Sequence, residues 1–181
     1  RKKNGILDGV LLVYVDDILA LSGTTSAQNI LNEISEHLEV EMRGVPKRFL
    51  GIDMNVTNKY IDISQKLFAS SLAVNESNSF NNPLLLNVLQ EEDISHKLEG
   101  KCIKAYRSLL GSFAYLQHTR PDLQFAISYF GKFSHSPTQR AFRLLYRACQ
   151  YAKNTSNRGL RFYCTYANHV NMTAWSDASF G

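Results

Sequence analysis

The chain has 181 residues, 44% of them hydrophobic and 20% charged, with 20 Lys/Arg against 16 Asp/Glu, the make-up of one globular domain or slightly more. Its longest apolar run, Val10 to Val15, stops at two aspartates and falls well short of the roughly 20 residues a membrane-spanning helix needs, so no membrane partner is expected. The basic start Arg1-Lys2-Lys3 is followed by no small-residue cleavage site, and no secretory signal is expected either.

Charge is unevenly spread. Residues 1–96 carry 8 Lys/Arg and 13 Asp/Glu, net −5, whereas residues 97–181 carry 12 and 3, net +9. A basic half beside an acidic half that contains a carboxylate pair suits a protein holding a polyanion in one part and a divalent cation in another, although solvated helix faces give the same balance. Cys102, Cys149 and Cys164 are odd in number and widely spaced, which predicts reduced, buried thiols in a cytosolic or nuclear setting rather than a disulfide or zinc framework.

In chain order, Val10–Val15 and Ile18–Leu21 flank Asp16-Asp17 and read as two buried strands in a hairpin. Ala27, Ile30, Leu31, Ile34 and Leu38 then form one helical stripe. Phe49–Met54 and Tyr60–Ile63, joined by Asn55–Lys59, predict a second hairpin. Ser77 to Gly100 turns polar and reads as an extended connector. Three helices follow: one on Tyr106, Leu109, Leu110, Phe113 and Gln117; one on Leu123, Ala126, Ile127, Phe130 and Phe133 with Pro121 in its opening turn; and one opened by a capping Ser136 with Pro137 at its first position. The third buries Ala141, Leu144, Leu145, Ala148, Cys149 and Ala152, and puts Arg140, Arg143 and Arg147 within about 60° of one another on a separate, exposed face. Arg120-Pro121-Asp122 reads as a helix start with a local ion pair rather than a phosphate contact. Leu160–Cys164 and Val170–Ser176 read as strands, the latter ending at Asp177.

Two adjacent carboxylates repel, and Asn-Gly or Asp-Gly would turn a hairpin more easily than Asp16-Asp17. An oxygen-preferring divalent ion, Mg²⁺ or Mn²⁺, would offset that repulsion, and a merely polar turn is the alternative. The surrounding residues sharpen the choice. Tyr14-Val15-Asp16-Asp17 resembles the Tyr-x-Asp-Asp motif of reverse transcriptases. Phe49-Leu50-Gly51-Ile52, Ile63-Ser64-Gln65, Tyr106 to Ser112, Tyr115-Leu116, Thr119 to Asp122, Ser136-Pro137-Thr138, Gly159-Leu160 and Trp175 to Ala178 resemble, in order, blocks of the Pol polyprotein of Ty1/copia-type retrotransposons.

That resemblance implies an α+β chain. Residues 1–64 would be a partial polymerase palm of antiparallel hairpins plus a helix, and 65–103 the start of the thumb with a polar connector. Residues 104–157 would be a helical thumb and connection, and 158–181 the first strands of a ribonuclease H-like domain. Asp16 and Asp17 would hold the catalytic metal ions, Mg²⁺ or Mn²⁺, Asp177 would be the first ribonuclease H carboxylate, and Tyr14 would lie near the primer end. Phe49, Leu50 and Gly51 resemble the primer grip, and Arg140, Arg143 and Arg147 fall in the template-primer-binding helices. The implied partners are an RNA/DNA template-primer, deoxynucleoside triphosphates and the remainder of the polyprotein. The implied setting is the cytoplasm, in a virus-like particle, and the nucleus.

The family's palm also uses an aspartate on an earlier strand. Asp8 cannot fill that place, lying eight residues from Asp16 on one strand, about 26 Å away at roughly 3.3 Å per residue. The chain is therefore expected to be a fragment or degenerate copy, inactive alone. A non-catalytic nucleic-acid-binding module and a relic unable to fold by itself are the competing expectations.

Overall fold

An apolar run interrupted by two carboxylates is placed to turn at the break, and the chain does so. A computed structural model describes residues 2–3, 6–7, 9–22, 27–75, 80–84 and 93–163. It is mixed α+β with antiparallel sheets and divides into two compact units, Arg1–Gly51 and Ile52–Gly181. Asp8, Cys164, the expected strand 170–176 and Asp177 lie outside the described residues.

In the first unit, β1 (Lys2–Lys3) and β2 (Ile6–Leu7) form a short ribbon, and β3 (Gly9–Tyr14) and β4 (Asp17–Ser22) the expected hairpin. Its register runs from Gly9 opposite Ser22 to Tyr14 opposite Asp17. Because side chains alternate, Leu11, Val13, Ile18 and Ala20 share one face and Val10, Leu12, Leu19 and Leu21 the other. Helix α1 (Ala27–Ser35) covers the first of these at Gly9, where a Cβ would meet Ile30 Cδ1 at 2.6 Å. A groove of about 620 Å³ remains between them, lined by Leu11, Ile30, Ile34 and Leu38 with Glu33 and His37. The helix ends at Ser35, so Leu38 falls outside it and stays exposed. Strand β5 (Arg48–Phe49) closes the unit. The strands were expected to be buried, yet Val10, Leu11, Leu12, Val13 and Leu21 are all at least 42% exposed: the short α1 covers only part of one face, leaving Val13 open on that side, and nothing among the described residues of the unit covers the other.

The second unit starts with β6 (Ile52–Val56) and β7 (Tyr60–Ser64), turning at Thr57, whose Oγ1 accepts from the Lys59 and Tyr60 amides. Helix α2 (Lys66–Ser70) follows, then α3 (Lys101–Tyr115), 3₁₀ turns at Leu116–His118 and Pro121–Leu123, α4 (Gln124–Gly131), α5 (Gln139–Asn154) and β8 (Gly159–Tyr163). Strand β8 pairs antiparallel with β7, which puts β7 in the middle of β6-β7-β8. No helix among the described residues is long and apolar enough to cross a membrane.

The helical stripes read from the sequence meet in one core. Tyr106, Phe113, Leu116, Leu123, Phe130, Leu145 and Ala148 are sealed from solvent, with Phe113 and Phe130 edge to face at 6.4 Å. Cys149 is buried there, and burial pushes its thiol well above the usual range; Cys102, expected to be buried, is exposed near the start of α3. The cap of α5 also differs from expectation. The helix starts at Gln139 and its N-cap is Thr138, whose Oγ1 accepts from the Ala141 amide, so Ser136 and Pro137 precede the cap. Threonine supplies the acceptor oxygen at the extended backbone position from which an N-cap reaches N3.

Residues 72–75 and the described parts of the connector lie antiparallel along α5. The Asn75 amide donates to the Tyr146 hydroxyl, and Lys153 Nζ donates to the Leu72 and Val74 carbonyls. Arg147 donates to the Asn82 and Pro83 carbonyls. Farther along, Lys97 bridges Thr138, and Thr138 Oγ1 donates to Asp93. The connector thereby supplies acceptors and a carboxylate to the helix it was expected only to precede.

Candidate active site

The turn between β3 and β4 consists of two residues, Val15 and Asp16, between the paired Tyr14 and Asp17. Two-residue hairpin loops need positive φ at the first central position or at both. Here it falls on Val15, at 54°. A β-branched residue in the left-handed region costs about 1–2 kcal/mol, and Val15 recovers nothing by packing, being 85% exposed. The strained turn presents Asp16 at its tip and Asp17 on the first position of β4, both in solvent. Tyr14 lies opposite Asp17 on the face away from α1, also exposed.

One cation near this turn was not singled out in the sequence. Arg43 pairs with Glu41 at 2.8 Å in the open. It is held above the usual guanidinium range, first by the Glu41 hydrogen bond and charge and to a smaller extent by Asp17. An Arg two residues from a Glu is too common a pattern to have marked it. Among the described residues no group of three or more His, Cys, Asp or Glu stands together as a metal site. The turn therefore offers two carboxylates and solvent, the protein share that Mg²⁺ commonly takes where substrate phosphates complete its shell.

Phe49, Leu50 and Gly51 were expected within a strand. Instead Leu50 and Gly51 have φ of 49° and 77°, the double positive of a type I′ turn, and only Phe49 is in β5. Glycine there adopts the conformation without a Cβ penalty and Leu50 does not.

The arginine ridge is only partly free. Arg147 is half-buried, its guanidinium 4.2 Å above the Phe80 ring and bonded to Asn82 and Pro83, and burial pulls its pKa down. Arg140 is half-buried with its charge felt by Asp93, and its backbone amide donates to Ser95 Oγ. Arg143 is exposed. Arg120 is 2% exposed and makes the expected local pair, bidentate to Asp122 at 2.8 and 2.7 Å, with further bonds to the Thr155 carbonyl and hydroxyl.

With this geometry in hand, comparison with known proteins shows what the chain is similar to. It is 28% identical over 173 residues to the retrovirus-related Pol polyprotein from transposon RE1 of Arabidopsis thaliana, and 27% identical to that from transposon RE2. Both alignments cover 94% of the chain. The chain is thus similar, over nearly its whole length, to the Pol polyproteins of these transposons. It spans 12% of the length of these two Pol polyproteins. An uncharacterized mitochondrial protein of the same plant is 28% identical over 175 residues, covering 94% of the chain and 71% of that protein. No family model and no solved structure matches. The chain brings Tyr14, Asp16 and Asp17 together on one exposed hairpin end, with Phe49–Gly51 elsewhere in the same unit and the three arginines on α5 of the other.

Proposed function

We propose that the chain is a piece of the reverse transcriptase of a Ty1/copia-type Pol polyprotein, an RNA-directed DNA polymerase. In this reading the β3–β4 hairpin and α1 are part of the palm, the turn at Leu50-Gly51 is the primer-grip region, and α3 to α5 belong to the thumb and connection. Residues 158–181 lead, after β8, into a ribonuclease H-like domain with Asp177 as its first carboxylate. What supports it above all is a pair of exposed carboxylates, one on the two-residue turn of an apolar hairpin and one on the strand residue that follows it, in a chain that aligns with Pol polyproteins over 94% of its length.

Asp16 and Asp17 would hold Mg²⁺ or Mn²⁺. In nucleotidyl transfer such ions activate the primer 3′-hydroxyl and steady the triphosphate for in-line displacement. The residues of the chain itself supply position. The short turn keeps the two carboxylates adjacent, and Tyr14 offers a ring surface on the same strand end. A further metal-binding aspartate comes from elsewhere in the polyprotein, so the 181 residues alone bind an RNA–DNA hybrid and do not extend it. The setting is the cytoplasm, within a virus-like particle, and the nucleus.

The test is Mg²⁺-dependent primer extension by a Pol segment that continues upstream through the earlier palm strand. Incorporation that disappears with Asp16→Asn while hybrid binding persists is the expected result. Binding without incorporation in the parent segment would instead make the chain a nucleic-acid-binding module with no turnover.

A further inference from the structure

A strand that returns after a helical block to join a hairpin laid down about a hundred residues earlier has a use only if the hairpin needs it. The β6–β7 hairpin does. Two strands alone are marginal in water, and a third strand or a covering helix is needed for independent order. Among the described residues, the buried hydrophobic core of the second unit and the apolar side chains packed against it include none from β6, β7 or β8. Two sources of the sheet's order lie within the second unit. At one end Gln65, 2% exposed and next after β7, donates to the Tyr115 carbonyl and accepts from Thr119 Oγ1. Along the whole of β7 lies β8, five residues in register from Tyr60 opposite Tyr163 to Ser64 opposite Gly159.

The side chains on one face of that pairing are matched. Arg161 is bidentate to Asp62, directly across the strands, at 2.6 and 2.8 Å. Its guanidinium also lies 3.9 Å over the Tyr60 ring, and Tyr60 meets Tyr163 edge to face at 6.5 Å. Gly159 fits because a Cβ there would collide with the Ile63 carbonyl. Arg161 is thus a cation on the surface of a proposed nucleic-acid-binding chain that has already committed its fork and one of its flat faces to β7.

We propose that β8 braces the β6–β7 hairpin and that Arg161 is a positioning residue for template-primer binding, acting through Asp62 and Tyr60 rather than by touching phosphate. The proposal rests on the reverse transcriptase reading, in which the primer-grip turn leads straight into β6. It carries an unusual consequence. Removing a carboxylate from a protein that binds a polyanion ordinarily tightens binding, yet here removing Asp62 loosens it.

The experiment measures the affinity of the full chain for an RNA–DNA hybrid as a function of salt, for the native sequence, Arg161→Ala, Asp62→Ala and the exchanged pair Asp62→Arg/Arg161→Asp. Amide exchange over α3 and α5 checks that the helical body is unchanged. The brace predicts that each single substitution weakens binding by about three- to fivefold, leaves the salt slope unchanged, and is largely rescued in the exchanged pair. Two results overturn it: Arg161→Ala lowering the salt slope by about 1 while Asp62→Ala tightens binding, which marks a direct phosphate contact; or all four chains binding alike. A native chain that does not bind the hybrid at all defeats the template-primer reading itself, and the brace with it.

Discussion

The two units handle apolar residues in opposite ways. In the second, helices α3 to α5 carry stripes that meet face to face, and Tyr106, Phe113, Leu116, Leu123, Phe130 and Leu145 are all at 0% exposure. In the first, only Gly9 and Ile30 are buried among the described residues, and the hairpin with the two aspartates leaves Val13 61% and Leu12 48% exposed. Apolar content does not separate them, since β3 is as apolar as any helix here. What separates them is closure. Each helix of the second unit finds a partner for its one apolar stripe, whereas a hairpin that is apolar on both faces needs two covering layers and has, among the described residues, part of one. The helical unit is built to stand by itself, and the hairpin has the surface of an internal element.

Matched truncations would break that contrast most directly. Phe113→Ala should cost about 3–5 kcal/mol and Leu145→Ala about 2–5, each removing a fully buried side chain from a closed core. Leu12→Ala, on the open face of the hairpin, should cost less than about 1 kcal/mol. Denaturant unfolding of the three variants decides the matter. A Leu12 truncation as damaging as Leu145 would mean that the hairpin face is covered in solution.

A charged residue inside the closed unit sharpens the same point. Arg120 is buried with its fork on Asp122, and Tyr151 Oη donates to Asp122 while accepting from Arg158. Replacing Arg120 with Ala leaves that carboxylate without its buried partner and should cost about 3 kcal/mol. Burial by itself would raise the Asp122 pKa, but the Arg120 hydrogen bonds and charge, with help from Tyr151, outweigh it and hold the group below the usual range. A carboxyl depressed in the folded state stabilises the protein above its unfolded value near 3.9, and that contribution is lost as pH falls through the folded value. The acid limb of the stability profile should therefore be shallower in Arg120→Ala than in the parent. Thermal melts between pH 7 and pH 2.5 measure it, and an unchanged limb would assign the parent's acid sensitivity to Asp62 and Asp93, which are also held low.

Features set by near neighbours in sequence were the legible ones. The three helical stripes, the β3–β4 turn and the Arg120–Asp122 pair each depend on residues within about a turn or a strand of one another, where periodicity and short spacing carry the information. Features set by distant partners were not. Nothing in Leu160 to Tyr163 says that the strand pairs with β7, and nothing in Arg147 says that Phe80, Asn82 and Pro83 will take its guanidinium. The ridge of three arginines was correct as helix geometry and incomplete as a surface, because the connector that engages two of them was read only as polar chain. At the candidate site, the adjacency of Asp16 and Asp17 followed from sequence alone. The positive φ at Val15 did not, since a β-branched residue is a poor choice for it and only the paired strands on either side impose it.

The cap of α5 is the smallest effect and a clean one, because sequence and structure name different residues. Ser136 followed by Pro137 has the pattern of a cap and first helical residue, and it loses to Thr138 for a reason outside the helix. The connector bridges Lys97 to Thr138, the Leu98 amide bonds to the Pro137 carbonyl, and the Gln139 amide bonds to the His96 carbonyl. Those bonds hold Thr138 extended, so the first helical residue is Gln139 and the hydroxyl that reaches the Ala141 amide is that of Thr138. Thr138→Ala should cost about 1–2 kcal/mol, the value of a lost cap that also accepts an orphan amide, and Ser136→Ala less than about 0.5 kcal/mol. Equal costs for the two would put the cap back at Ser136 and detach the connector from the start of α5.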